Sequence, residues 1–341
     1  MDRTWFIKLL SLGGLGSLLN AYYPVDEVQK QIIKPKTLQR GDTIGLISPA
    51  SRLPRRREYG KIVREIKSMG YEVKVGPNSK KRYGGFAGTD KQRAADLNAM
   101  FTDDSVDAIL PFRGGWGSNR ILDLVEFDII RENPKILVGF SDITSLLLAI
   151  YAKTGLITFH GPVGKSDWTD YTAHHFNEAL TQQQTYSLHT PDRSFCRDCN
   201  HLNTITPGRA TGRLLGGNLS VLTAMIGSDY LPDWYGNILF VEDVGEDYYR
   251  IDRMITQLEL SGILDQISGF IFGQCTNCTK SSSYSLPLNK VLEDHIKPLG
   301  IPAFSGAMFG HISNTITIPE GVMVEMDADK GNIRLKEVPT S

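Results

Sequence analysis

Between Asp42 and His160, short apolar runs alternate with amphipathic ones, and this alternation constrains the fold more than any other feature of the chain. Asp42–Ser48, Tyr71–Val75, Val106–Phe112, Ile136–Val138 and Ile157–His160 have the length and apolar content of strands. Arg57–Met69, Asp90–Phe101 and Ile143–Tyr151 have the spacing of helices. Ile62, Val63, Ile66 and Met69 share one helical face, and Gly70 is a natural stop. Ala94, Leu97 and Phe101 turn inward in the same way. Val106–Phe112 is apolar at nearly every position, as suits a parallel strand covered on both faces. Repeated strand–helix–strand units predict an α/β fold with a parallel sheet, and right-handed crossovers put helices on both of its faces.

The pattern then breaks. Residues 166–208 are polar, rich in Thr, Gln, His and Asp, and weakly periodic, and they read as a long connection. Beyond it, Asn237–Val241 and Ile267–Phe272 read as strands, Tyr249–Leu260 and Leu288–Ile296 as helices, and Asn314–Ile318, Val322–Met326 and Asn332–Leu335 as closing strands. The 341 residues therefore divide into an N-terminal segment at 1–24, an α/β domain at 37–165, the connection, and a C-terminal α+β domain at 209–338. An apolar content of 41% supports a sizeable core.

Charge narrows the partners. Lys and Arg total 37 against 38 Asp and Glu, so no basic bias invites nucleic acid. Arg3 and Lys8 precede an uncharged apolar run, Leu9–Leu19, and Asn20-Ala21-Tyr22 offers a small residue for cleavage. This has the build of a secretory signal, and Asp2–Lys8 is similar to a twin-arginine signal that lacks one arginine. The run is shorter than the roughly 20 residues of a membrane span. Export to the periplasm or cell envelope is the expectation; an amphipathic arm on a cytoplasmic protein is the alternative. The four cysteines form two C-x-x-C pairs, Cys196/Cys199 and Cys275/Cys278, open to three states: packed thiols, disulfides or a four-thiolate zinc site.

The third strand runs into Arg113-Gly114-Gly115-Trp116-Gly117-Ser118-Asn119-Arg120, followed by a helical Ile121–Leu124. Strand, glycine turn and helix N-terminus can present a nucleophile beside free N–H groups. Ser118 is the candidate. It could equally be a helix N-cap, or part of a phosphate cradle. The segment lacks the G-K-[ST] of a P-loop and the second glycine of G-x-S-x-G, where Arg120 stands. A serine needs a base, and the base an orienting acid. Among seven histidines, His311 in Phe309-Gly310-His311-Ile312 lies in a glycine loop suited to a cleft, and His160 ends a strand. Glu242 and Asp243 follow a buried apolar strand and point to opposite sides of it, and the residues alone do not choose between them.

Several blocks resemble the LD-carboxypeptidase family of serine peptidases, the group of murein tetrapeptide carboxypeptidases and microcin-immunity peptidases. They are RYGGFAGTDKQRAADLNAMF, RGGWGSNRILDLVEFDIIRENPKILVGFSDIT, GRLLGGNLSVL, FVEDVGEDYYRIDRMITQL and GHISN…IPEG, in the family's order from about residue 36 onward. The resemblance implies a Ser–Glu–His triad, which falls on Ser118, Glu242 and His311. It implies an active site in the cleft between two domains, a homodimer, and no metal or cofactor. Backbone groups near Gly115 and Asn119 are expected to bind the oxyanion, and Asn218 in Gly216-Gly217-Asn218 is expected to touch substrate or simply to shape a turn. The implied reaction removes D-alanine from an L,D-amide of a murein tetrapeptide. The alternatives are an aminoacyl-nucleotide amide, as in the microcin-immunity branch, and, from another class, an exported solute-binding protein without a nucleophile.

Overall fold

The alternating half of the chain builds five strands of a six-stranded sheet, in the spatial order Ile318–Glu320, Thr158–His160, Ile136–Gly139, Ala108–Pro111, Thr43–Ile47 and Glu72–Val75. The computed structural model describes residues 31–189, 201–280 and 282–341. Nearly all of these belong to one compact unit, Ile32–Ser341. The expected signal segment at 1–24 and the Cys196/Cys199 pair lie outside the described residues. In chain order the first elements are β1 (Thr43–Ile47), α1 (Arg56–Ser68), β2 (Glu72–Val75), α2 (Asp90–Thr102), β3 (Ala108–Pro111), α3 (Phe127–Glu132), β4 (Ile136–Gly139), α4 (Thr144–Thr154) and β5 (Thr158–His160). Strands β1 to β5 pair in parallel. Their C-terminal ends therefore share one edge of the sheet, and the loops that leave them are neighbours.

The polar connection holds more structure than its composition suggests. It contains α5 (Asp170–Thr181), β6 (Ser187–His189) and β7 (Asn203–Thr206). The hydroxyl of Thr169 accepts from the Thr172 N–H and caps α5, which buries Phe176, Ala179 and Leu180. One turn of apolar residues suffices to dock the helix, so its period is short and easily lost among polar neighbours.

The remaining elements are β8 (Arg209–Asn218), α6 (Leu219–Thr223), β9 (Ile238–Val244), α7 (Tyr248–Leu260), β10 (Gly269–Thr276), α8 (Leu288–Ile296), β11 (Ala303–Ser305), β12 (Ile318–Glu320), β13 (Met323–Asp327) and β14 (Asn332–Leu335). They form most of an eight-stranded mixed sheet, ordered β6-β14-β13-β8-β9-β10-β11-β7. The exception is β12. Expected at Asn314–Ile318 in the second domain, it is Ile318–Glu320 and pairs antiparallel with β5 of the first sheet. The architecture is a two-domain α/β fold with a largely parallel N-terminal sheet.

Helix α4 lies deep in the fold. Every residue from Thr144 to Tyr151 is buried, and so is Thr154. Leu146, Leu147 and Ile150 share a core with Leu215, Leu219 and Leu239 from β8, α6 and β9. Full burial of each such side chain contributes about 1.5–3 kcal/mol. The start of α4 is thus fixed by packing on both sheets. Among the described residues no helix is long and apolar enough to cross a membrane.

Candidate active site

Two strand-to-helix turns meet at the C-terminal edge of the first sheet, and they differ in what they do with a serine. The turn after β4 reads Gly139-Phe140-Ser141-Asp142. Gly139 is needed there, because a Cβ on it would come within 2.7 Å of Ile143. Phe140 is extended, with φ −147° and ψ −173°. Ser141 then takes φ +61°; among the described non-glycine residues only Asn277 shares a positive φ. Such a backbone costs an L-residue roughly 1–2 kcal/mol and recurs at functional turns. A single 3-10 turn, Ser141–Ile143, leads directly into α4.

Ser141 lines a cavity of about 410 Å³ together with Phe140, Gly114, Gly115 and His311. Arg113 and Lys165 bring positive charge to its wall, and none of its lining residues among those described is acidic. A Cβ on Gly114 would lie 3.2 Å from both the Ser141 Oγ and the Asp142 backbone nitrogen, tighter than ordinary contact. The loop after β3 therefore presses its bare backbone against the Ser141 turn.

His311 enters from the second half of the chain. Its Nδ1 lies 2.8 Å from Glu242 Oε2. Glu242 is fully buried on β9. Burial alone would raise its pKa, but the charge and hydrogen bond of His311 reverse this and hold it below the usual value. The carboxylate is thus ionised and accepts from Nδ1–H, which leaves Nε2 as the imidazole's free nitrogen. Burial opposes the imidazolium, yet the Glu242 charge and hydrogen bond outweigh it and raise the His311 pKa. Gly310, with φ +121°, allows this approach: a Cβ on it would stand 2.9 Å from Glu242 Oε2. Asp243 differs. Burial, then the adjacent Glu242 charge, push it up to about 6.

Asn218 connects the pieces. Its Nδ2 donates to Glu242 Oε1 at 3.1 Å and to Asp243 Oδ1 at 3.2 Å. Its Oδ1 accepts from the Val221 N–H at 3.1 Å, capping α6. Its own N–H donates to Thr144 Oγ1 at 3.0 Å, at the start of α4. The residue that holds the acid is therefore hydrogen-bonded to the first residue of the helix that follows the Ser141 turn.

A strand–elbow–helix serine sharing a cavity with a histidine–glutamate pair has the parts of an acyl-transfer site. Two family models agree with it: the LD-carboxypeptidase N-terminal domain matches residues 44–161, and the LD-carboxypeptidase C-terminal domain matches residues 211–326. The chain belongs to the LD-carboxypeptidase family. It is 39% identical over 295 residues to the "Probable murein peptide carboxypeptidase" of Bacillus subtilis, covering 86% of this chain and 91% of that one. A structure of MccF in complex with glutamyl sulfamoyl guanosine superposes with a TM-score of 0.82 at 30% identity, over 90% of this chain and 99% of that one. The muramoyltetrapeptide carboxypeptidase of Oxalobacter formigenes does so with a TM-score of 0.74 at 30% identity, over 86% and 97%. The chain is accordingly a peptidase of the carboxypeptidase type.

Within this member of the family, Ser118 does not stand where a nucleophile is needed. It is fully buried and is not among the residues that line the cavity. Its N–H and Oγ both donate to Asp142 Oδ2, at 2.8 and 2.6 Å. Its Oγ also contacts the Asp142 carbonyl and lies 2.8 Å from Ser145 Oγ. The hydroxyl is consumed in tying Asp142, the residue after Ser141, into place. Two further assignments need correcting. Asn119 is exposed at the start of a 3-10 helix and does not line the cavity. Asn218 is buried and spends its amide on Glu242, Asp243 and Val221 rather than facing the cavity. Gly115 does line it.

Sequence reasoning passed over Ser141 although a signal existed. Gly-x-Ser at the exit of the apolar run Ile136–Val138, directly before an apolar helix, is the first half of the hydrolase elbow, with Ile143 in place of the second glycine. The glycine-rich loop drew attention to the other serine. The remaining histidine considered for a pocket, His160, is fully buried, and burial pushes its pKa down to about 4. It packs edge-on against Phe140, Phe240 and Phe309. Cys275 and Cys278 are joined as a disulfide, which removes them from a four-thiolate zinc site.

Proposed function

We propose that this LD-carboxypeptidase is a serine enzyme that hydrolyses the L,D-amide of murein tetrapeptides, releasing D-alanine through an acyl-enzyme on Ser141. The observation that carries the reading is the shared cavity of a serine at φ +61° and a histidine whose far nitrogen is held by a buried carboxylate. His311 Nε2 takes the Ser141 proton as Oγ attacks the scissile carbonyl. Glu242 keeps the proton of the neutral ring on Nδ1 and stabilises the imidazolium that forms. The tetrahedral oxyanion lies against the Asp142 N–H, at the head of α4, and the bare Gly114–Gly115 backbone. A donor of this kind is worth about 3–4 kcal/mol. The imidazolium then protonates the leaving D-alanine nitrogen, and water, deprotonated by His311, releases the tripeptide.

A carboxypeptidase must also recognise a terminal carboxylate. Arg113 and Lys165, on a cavity wall without acids, supply charge of the right sign. The test is incubation with murein tetrapeptide and detection of free D-alanine by mass spectrometry. Release by the wild type and none by Ser141→Ala is expected. Cleavage of an aminoacyl-nucleotide amide without D-alanine release would move the enzyme to the microcin-immunity type of reaction. Binding of the tetrapeptide without turnover would favour the solute-binding alternative.

A further inference from the structure

A second cavity opens on the same edge of the first sheet, at the ends of β1 and β2. Its volume is about 380 Å³. Arg52 and Arg56 line it from the loop after β1 and the first turn of α1, and Lys80, Lys81 and Arg82 from the loop after β2, with Tyr59 beneath. Among the described residues five cations and no carboxylate thus line one concavity, in a chain whose formal net charge is only −1.

Among the described residues no carboxylate is paired with this cluster. None of the five cations takes part in an ion pair among the described residues. Asp96 feels the Lys81 charge but is buried and hydrogen-bonded to Asn78 and Ser79. Glu58, the carboxylate in the first turn of α1, lines a different cavity. Residue Arg55, which precedes α1, makes no side-chain cap, so the first N–H groups of that helix add to the positive field. Like charges gathered this closely repel one another and destabilise the fold unless an anion joins them. Three guanidinium forks and two ammonium groups match the several oxygens of linked phosphates better than a single carboxylate.

The cavity is also connected to the catalytic one. Ser51, next to Arg52, accepts from the Trp116 N–H at 3.2 Å, and a Cβ on Gly115 would lie 2.3 Å from its Oγ. The Arg52 N–H donates to Gly85 O at 3.0 Å, and the Trp116 ring lies on Gly85. Two to three strand spacings separate the ends of β1 and β2 from the end of β4, so the two cavities are about 10–15 Å apart.

We infer that this basin is a binding site for a ligand carrying two or three linked phosphates. The inference rests on charge and shape at β1 and β2 and stands apart from the assignment of Ser141. The phosphates can come from the far end of an extended substrate or from a separate phosphorylated ligand, and two measurements divide these sources. The first is calorimetric titration of the full chain with inorganic pyrophosphate and tripolyphosphate, in wild type and in the double variant Arg52→Ala/Lys81→Ala, with thermal unfolding as a check on the fold. Binding in the range of about 10–100 μM, weakened at least tenfold in the variant and by added salt, is expected. Binding absent at millimolar ligand, or equal in a folded variant, overturns the site. The second compares KM for one peptide with and without a terminal diphosphate. A KM lowered about tenfold by the diphosphate in wild type only, matching the calorimetric loss, assigns the basin to the substrate. Pyrophosphate binding with no such difference in KM assigns it to a separate ligand, and both outcomes retain the site.

Discussion

Ser118 and Ser141 stand 23 residues apart in chain order (141 − 118), each in a turn that follows a parallel strand and precedes a helix, yet their surroundings assign them opposite tasks. Ser141 has the costly left-handed backbone and faces a cavity beside His311. Ser118 has an ordinary helical backbone, with φ −67° and ψ −33°, and no exposed surface. Its hydroxyl is satisfied by Asp142 and Ser145. A nucleophile needs an unspent hydroxyl and room for a substrate, and only one of the two turns provides both. The difference shows that local sequence type, strand–glycine–serine–helix, is a weaker guide to chemistry than what the side chain has left to do after folding.

The sharpest way to break this comparison is to remove each serine in turn. Ser141→Ala is expected to lower kcat at least about 10⁴-fold while leaving the thermal midpoint within a few degrees, since no buried bond is lost. Glu242→Gln comes next, with an expected loss of about 10³–10⁴-fold in kcat, because the amide no longer fixes the imidazole tautomer. Both are read from steady-state D-alanine release.

Ser118→Ala is expected to behave differently. Asp142 loses the Oγ donor at 2.6 Å in a buried setting, where burial already raises its pKa against the Ser118 hydrogen bonds. The stability cost should be about 1–3 kcal/mol by denaturant unfolding. Activity should fall by no more than about a hundredfold, through a less firmly held turn. If Ser118→Ala abolished turnover in a folded enzyme while Ser141→Ala kept it, the assignment of the two turns would be reversed.

The pH dependence sharpens the same contrast on the histidine side. Catalysis requires neutral His311, whose pKa is raised above its ordinary 6.5 by Glu242 against the effect of burial. The acid limb of kcat/KM should therefore lie above 6.5, and Glu242→Gln should move it to lower pH. Stability follows the opposite sign at this residue. The part contributed by protonated His311 is complete below 6.5 and fades as pH rises through its raised folded value. Glu242, whose folded pKa is lowered, contributes above 4.5 and loses that contribution as pH falls through its folded value. Unfolding titrations of wild type and Glu242→Gln would show these smaller effects.

Much of the fold was legible because burial leaves a strong periodic trace. Strands β1, β3 and β4 are covered on both faces and read as unbroken apolar runs. Less legible were elements whose register depends on distant partners. The strand β12 is three residues long and is recognised only by its pairing with β5. The helix α5 is docked by one turn of apolar residues. At the site, the family resemblance joined Glu242 to His311, and their side chains are 2.8 Å apart. It put the nucleophile on Ser118, although the block that carries it also contains Ser141. What separates them is a backbone φ and a set of buried hydrogen bonds, and neither is written in residue type. Glycine spacing marked where the backbone approaches closely, at Gly114 and Gly310, without saying which side chain it approaches.

The central claim is that Ser141 carries the acyl group. The most direct test is to trap the enzyme during turnover of a murein tetrapeptide by rapid acid quench, and to map the tripeptidyl adduct by peptide mass spectrometry. An adduct on the peptide that contains Ser141, absent in Ser141→Ala and present in Ser118→Ala, is predicted. An adduct on Ser118 would contradict the account.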